Sequence, residues 1–340
     1  MNRTSCFVIL LASTLALTMQ LHAQTGALAQ LSANGLALSS GSAICVPGKD
    51  NWLFLRNELR HLSVGSFWGD AAQKSSMATD PSQRDPLAAI IAYHKAVSAE
   101  GIQLIVVPIP PKAVIYPDKL PGSTLSATKR YDEQLQAFYG QLRAAGVKLL
   151  DVTDILLKAR AANSEPLYCI GDSHFSGLGS KIVAEAIAAE VASALPKLPR
   201  PKWKTSESRI TFTGDLQQSL QGAAGAGSEQ RWVRYIQGDP VQSDQSPVLL
   251  FGDSHTLVFD AGGDLFAANA GLPSQLAFAL GTTVDVVGVR GSGATPARIN
   301  VYRKSRANAD YLRTKKVFVW CFAAREFTEA TGWNANVPVK

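Results

Sequence analysis

The tetrapeptide Gly-Asp-Ser-His occurs twice in this chain, at Gly171 to His174 and at Gly252 to His255. Each copy sets a carboxylate, a hydroxyl and an imidazole close together, the three side-chain types that nucleophilic acyl transfer uses. A serine becomes a nucleophile when an imidazole takes its proton, and a carboxylate keeps that imidazole in one tautomer. One copy can supply Asp172 and His174, and the other Ser254. This assigns Ser254 as nucleophile, His174 as general base and acid, and Asp172 as orienter. The exchanged assignment, Ser173 with His255, stays open. So does a metal reading, in which Asp172, His174, Asp253 and His255 are four ligands of one ion.

The elements around these residues must bring them to one place. Val248 to Phe251 is an apolar run too short for a helix, and Gly252 follows as a turn residue, so it reads as a buried strand that delivers Ser254 to a sheet edge. In a parallel α/β sheet, sites form where strands end at their carboxyl side. Thr256 stands where the second glycine of a Gly-x-Ser-x-Gly elbow would be, so that pattern is not matched. Ile102 to Val107 reads as a central strand stopped by Pro108 to Pro111, with Lys112 just beyond it, a residue that could line a site but whose default expectation is the surface. Further strands are expected at Val147 to Asp151, Val284 to Val287 and Val317 to Phe322. Asp85-Pro86 opens a helix and Gly101 closes it, and Tyr131, Leu135, Phe138 and Leu142 recur at helical spacing. Leu178 and Ile182 mark a helix after His174, which places Asp172 and His174 on a strand-to-helix loop. Helices are also expected near Pro273 to Leu280 and after Gly293.

This rhythm predicts a three-layer α/β/α fold with a mainly parallel central sheet. Gly291-Ser292-Gly293 lies between a strand and a helix, where backbone amides can face an oxyanion. Arg325, just past the last strand, is a candidate for binding substrate or developing charge, its ordinary role being a surface ion pair. Between about residues 196 and 246 the composition changes: a proline-rich linker at Leu195 to Pro201, a flexible run at Gly222 to Gly227, and an alternating strand at Arg231 to Ile236. This reads as an inserted hairpin or lid, on which Trp232, Arg234 and Tyr235 are candidates for sugar contacts.

With 340 residues, 46% hydrophobic and 18% charged, the chain can bury a large core, which excludes intrinsic disorder. Arg3 followed by the apolar run Cys6 to Leu17 has the pattern of an export signal, expected at residues 1–23, with the single catalytic domain at 24–340; an uncleaved anchor is the alternative. Export leaves Cys45, Cys169 and Cys321, of which Cys321 reads as a buried thiol and Cys45 with Cys169 as a candidate disulfide. The net charge of +6 suits an acidic polysaccharide or an anionic surface. No basic repeat or RNA-binding signature points to nucleic acid, and no cofactor motif or zinc pattern is present.

Several stretches together resemble a known family. They are Gly48-Lys49-Asp50 with Trp52-Leu53-Phe54-Leu55, Val107-Pro108-Ile109-Pro110-Pro111-Lys112 with Tyr116-Pro117, Asp172-Ser173-His174-Phe175, Gly252-Asp253-Ser254, and Ala324-Arg325-Glu326-Phe327. In type and order they resemble the AlgX/AlgJ-like SGNH family of periplasmic polysaccharide O-acetyltransferases, in which the aspartate-histidine motif precedes the serine motif. Phe175 stands where that family usually has tryptophan, and no long carbohydrate-binding module follows. The resemblance implies an SGNH-hydrolase-like fold and a periplasmic location. It also implies a membrane-bound O-acyltransferase partner as acetyl donor, and an acetyl group carried on Ser254 before a polysaccharide hydroxyl takes it. The same site with water as acceptor would be a carbohydrate esterase. A non-catalytic glycan-binding assembly protein is the other alternative.

Overall fold

The structure, a computed structural model, describes residues 26–39, 41, 43–195, 201–220 and 227–340. The expected export signal, most of the proline-rich linker and nearly all of the glycine-rich run lie outside the described residues. Strands β1 (Cys45–Pro47) and β2 (Leu53–Leu55) form a small antiparallel ribbon. The central sheet begins with β3 (Gln103–Ile109) and β4 (Lys148–Leu149). A long antiparallel hairpin, β5 (Trp203–Phe212) and β6 (Glu229–Gly238), stands apart from it. The sheet is completed by β7 (Val248–Gly252), β8 (Asp285–Gly288) and β9 (Val317–Ala323). Its order is β4-β3-β9-β7-β8, with every pairing parallel.

The strand sequences dictate the layering. All seven residues of β9 are buried. Val317, Val319 and Cys321 enter one core, and Phe318, Trp320 and Phe322 the other. A strand apolar on both faces must be covered on both. One cover contains α1 (Pro86–Ala99), α2 (Glu133–Ala144) and, later in the chain, the helix at Thr295–Ala307. The other contains α3 (Thr153–Ala162), α4 (Gly177–Val191) and the helix at Leu272–Leu280. Helix α1 starts as expected: the Asp85 carboxylate accepts the Leu87 N–H at 2.9 Å, and Pro86 occupies the first turn. The three-layer α/β/α reading therefore matches the fold, and the inserted segment contains the expected hairpin.

Two strand readings need correction. Strand β3 runs through Pro108 to Ile109 instead of stopping before the proline. The Leu150 N–H donates to the Val106 carbonyl, so residues of Val106's parity, Pro108 included, face β4. Since β4 ends at Leu149, the N–H that proline lacks has no strand to meet. Strand β4 itself is only two residues long, shorter than the apolar run suggested.

Where β7 ends, the backbones crowd. Gly252 is paired with Cys321, and a Cβ there would lie 1.5 Å from the Cys321 carbonyl oxygen. That neighbour is sheet backbone and cannot yield. The substitution Gly252→Ala should lower the unfolding free energy by about 3 kcal/mol or more, a loss that urea denaturation would measure.

Candidate active site

The strand ends decide where Ser254 sits. Strand β7 is wholly buried and stops at Gly252, and Ser254 opens a short 3-10 turn at Ser254–Thr256. Asp253 caps that turn, its Oδ1 accepting the His255 N–H at 3.0 Å. The other carboxylate oxygen of Asp253 accepts the Ala323 N–H at 2.7 Å, which ties the turn to the end of β9. Ser254 is thus held at the carboxyl edge of the sheet, where two central strands finish.

Asp172 and His174 arrive differently from the expected strand-to-helix loop. Their segment joins no strand of the central sheet; an isolated antiparallel bridge between Tyr168 and Phe175 pinches it off just before α4. The Cys169 N–H donates to the His174 carbonyl at 3.1 Å, and the Ser176 N–H to the Leu167 carbonyl at 2.9 Å. Such a loop has to be fixed from outside. Lys112, expected at the surface, is completely buried beneath it. Its ammonium donates to the carbonyls of Leu53 (2.8 Å), Cys169 (2.8 Å) and Asp172 (2.6 Å), and more distantly to Ile170 (3.3 Å). Burial lowers the Lys112 pKa, and the nearby Glu58 and Asp172 carboxylates oppose that shift.

The inserted segment supplies the remaining braces. The Asp215 N–H donates to Asp172 Oδ2 at 2.8 Å, and the Asp215 carboxylate accepts from the Ser173 N–H at 2.7 Å and the Ser173 hydroxyl at 2.5 Å. Glu229, the first residue of β6, accepts from the N–H groups of Ile170 at 2.9 Å and Gly171 at 3.2 Å. Gly214 lies so close to the Gly171 carbonyl that a Cβ on it would come within 2.3 Å.

The two distant copies of the tetrapeptide meet. His174 Nε2 lies 2.6 Å from Ser254 Oγ, and His174 Nδ1 lies 2.7 Å from Asp172 Oδ1. Asp172 Oδ1 also accepts the His174 N–H at 2.9 Å. Burial opposes ionisation of Asp172, but the adjacent imidazole and the backbone donors outweigh it and hold the carboxyl well below its ordinary value. Burial likewise opposes charge on His174, and the Asp172 carboxylate reverses that, leaving the imidazole above its ordinary pKa.

The second copy is arranged as an imitation without an outlet. His255 Nδ1 is 3.1 Å from Asp253 Oδ1, and its buried Nε2 has no hydrogen-bond partner among the described residues. Its ring packs against those of His174 and Phe175 at centroid distances of 4.9 and 5.2 Å. Ser173 bonds to Asp215 and not to His255, so the exchanged assignment finds no support. The four-ligand metal reading finds no support in these bonds either, because His174 Nε2 is engaged by Ser254 and each aspartate by its own histidine. Among the described residues, the group with ligand-like spacing is Asp172, His174 and Asp215. Its atoms are already spent on one another and on neighbouring N–H and O–H groups.

Gly293 abuts the backbone just before Ser254: a Cβ on it would lie 2.7 Å from the Asp253 nitrogen. Gly291 has φ of 96° in an exposed turn, and the Ser292 hydroxyl donates to Glu326. Burial raises the Glu326 pKa to about 7. Arg325 is buried, not a surface residue; its guanidinium pairs with the buried Glu58 at 3.3 Å. Cys45, Cys169 and Cys321 are all buried free thiols, so the candidate Cys45 to Cys169 disulfide is not formed. The Cys169 thiol instead faces the Phe175 carbonyl at 3.4 Å.

Residues 45–324 match the family described as SGNH hydrolase-like domain, acetyltransferase AlgX. The chain belongs to this family. It is 28% identical over 174 residues to the probable alginate O-acetylase AlgJ of Pseudomonas aeruginosa, a match spanning 50% of this chain and 39% of that protein. The corresponding protein of Pseudomonas syringae pv. tomato is 25% identical over 174 residues, 50% of this chain and 40% of that protein. The chain therefore aligns with about two fifths of these relatives. In fold it is similar to the O-acetyltransferase domain of Pseudomonas putida AlgJ, with a TM-score of 0.62, 23% identity, and coverage of 84% of this chain and 92% of that one. Pseudomonas aeruginosa AlgX follows at a TM-score of 0.56 and 18% identity, covering 82% of this chain and 61% of that one.

Sequence reasoning missed Lys112, Asp215 and Glu229 as supports of the loop. Lys112 gave one signal, its place directly after a central strand. Asp215 and Glu229 gave none, because their partners on the loop lie some 40 to 60 positions away. Replacing Lys112 with methionine keeps the stem and strands the carbonyls. Lys112→Met should cost about 2–5 kcal/mol of unfolding free energy in urea.

Proposed function

We propose that this chain is a polysaccharide O-acetyltransferase that carries the acetyl group on Ser254. The observation supporting this most directly is the hydrogen-bonded series from Asp172 through His174 to Ser254, in a chain of an acetyltransferase family. His174 Nε2 takes the Ser254 proton as Oγ bonds to the acyl carbon of the donor ester, and the carbonyl electrons move onto oxygen. When that tetrahedral species collapses, the donor alkoxide leaves with the proton from His174. A hydroxyl of the acceptor then gives its proton to His174 and attacks the acyl carbon. Ser254 departs and regains its proton. Asp172 holds the imidazole through both halves and balances its positive charge. The Ser254 amide, with the Gly291, Ser292 and Gly293 turn, is the proposed oxyanion site, and Arg325 adds positive potential behind it. With water as acceptor the same steps are ester hydrolysis.

The export signal read in residues 1–23 makes the periplasm the proposed location, and a membrane-bound O-acyltransferase the proposed acetyl source. Among the described residues, no helix is long and apolar enough to cross a membrane. The curated relatives carry alginate in their names; for this chain the proposal is an exported polysaccharide.

Turnover of a chromogenic acetyl ester should fall at least about 1,000-fold in Ser254→Ala while the fold is retained. Activity persisting in that variant would remove Ser254 from the mechanism. The pH profile has a defined direction: His174 must be neutral to accept a proton, and its pKa is raised. The acidic limb of kcat/KM should therefore have its inflection above about 6.5, the ordinary histidine value. An inflection below that value would contradict the proposed pairing with Asp172.

A further inference from the structure

A cavity of about 570 Å³ lies against the catalytic loop, on the side where the β1–β2 turn meets the inserted segment. This is within the range of roughly 300–1,000 Å³ typical of small-ligand sites. One wall is the Ile170–Gly171 backbone, whose N–H groups Glu229 holds and whose Gly171 carbonyl accepts the Gln217 N–H at 2.9 Å. The next residue is Asp172. Whatever fills the cavity therefore touches the loop that positions His174.

The lining has a definite chemistry. The side chains of Asn51, Gln217 and Ser228 border the cavity, and none of them makes a hydrogen bond among the described residues. Between them they offer two amides and a hydroxyl, able to donate and to accept. Leu53 and Leu220 supply apolar surface beside them. Among the described lining residues there is no lysine or arginine. The charged groups that border the cavity are carboxylates, Asp50 and Glu229, and each already has its cation: Lys119 at 2.6 Å and Arg231 at 2.7 Å.

We propose that this cavity is a subsite for an uncharged stretch of the acceptor glycan. The inference rests on the transferase reading and adds the class of sugar. Hydroxyls both donate and accept, which matches uncommitted amide and hydroxyl side chains, and the C–H faces of a sugar ring suit the leucines. A uronate carboxylate would meet the carboxylates of Asp50 and Glu229 with no free cation among the described lining residues, a like-charge placement that costs binding energy. The net positive charge of the whole chain does not extend into this cavity.

Isothermal titration of the purified chain with cellotetraose, maltotetraose and a mannuronate tetramer tests this directly. At least one neutral tetrasaccharide should bind, and the uronate at least 10-fold more weakly. Gln217→Leu and, separately, Ser228→Val should each weaken the neutral ligand several-fold, with thermal unfolding checked for both. Gln217→Lys should shift preference toward the uronate. Binding should survive in Ser254→Ala, so that loss of ester turnover and loss of sugar binding report on different claims. The proposal is overturned if no neutral tetrasaccharide binds, if the uronate binds as tightly, or if the folded Gln217 and Ser228 variants bind as the parent does.

Discussion

Asp172 is a carboxylate kept ionised inside the protein, and the candidate site depends on it. Burial alone would favour the neutral acid, which could not anchor an imidazolium. The charge persists because His174 Nδ1, the His174 N–H and the Asp215 N–H all point at its two oxygens. Two of these donors belong to the same tight loop, and the third comes from a segment more than forty residues later. The electrostatics of the site are therefore inseparable from how the loop is held.

That holding is distributed across the chain. Lys112 reaches up from the end of β3 and gathers carbonyls of β2 and of the loop, while Asp215 and Glu229 gather its N–H groups from the other side. A cationic donor set and an anionic acceptor set thus clamp one short stretch of backbone. The inserted segment consequently serves as scaffolding for the loop. Its two bracing residues occupy α-helical and β6 starting positions, where the backbone direction is already fixed.

The sheet was legible because its residues carry a local signal. Val248 to Phe251 and Val317 to Phe322 are apolar throughout, the pattern of short strands covered on both faces. The doubled Gly-Asp-Ser-His was legible because its composition is rare and its parts are chemically complementary. What escaped was long-range and polar. A buried lysine looks like any surface lysine until its carbonyl partners are known, and Arg325 looked exposed for the same reason before Glu58 was found beside it. The Cys45 to Cys169 pairing failed because two buried thiols at unrelated positions need not approach each other, and counting cannot detect that.

The duplication in sequence does not produce duplication in chemistry. His174 has both nitrogens engaged, one on a carboxylate and one on a hydroxyl, whereas His255 spends one on Asp253 and leaves the other buried. In the proposed mechanism this asymmetry favours Ser254 as the acylated serine, while the Ser173 hydroxyl is bonded to Asp215. Rapid quenching of the protein with an acetyl-ester donor, in the absence of any glycan acceptor, followed by peptide mass spectrometry, tests this most directly. The account predicts a single acetyl group on the peptide containing Ser254. An acetyl group on Ser173, or none on either serine while the ester is consumed, would contradict it.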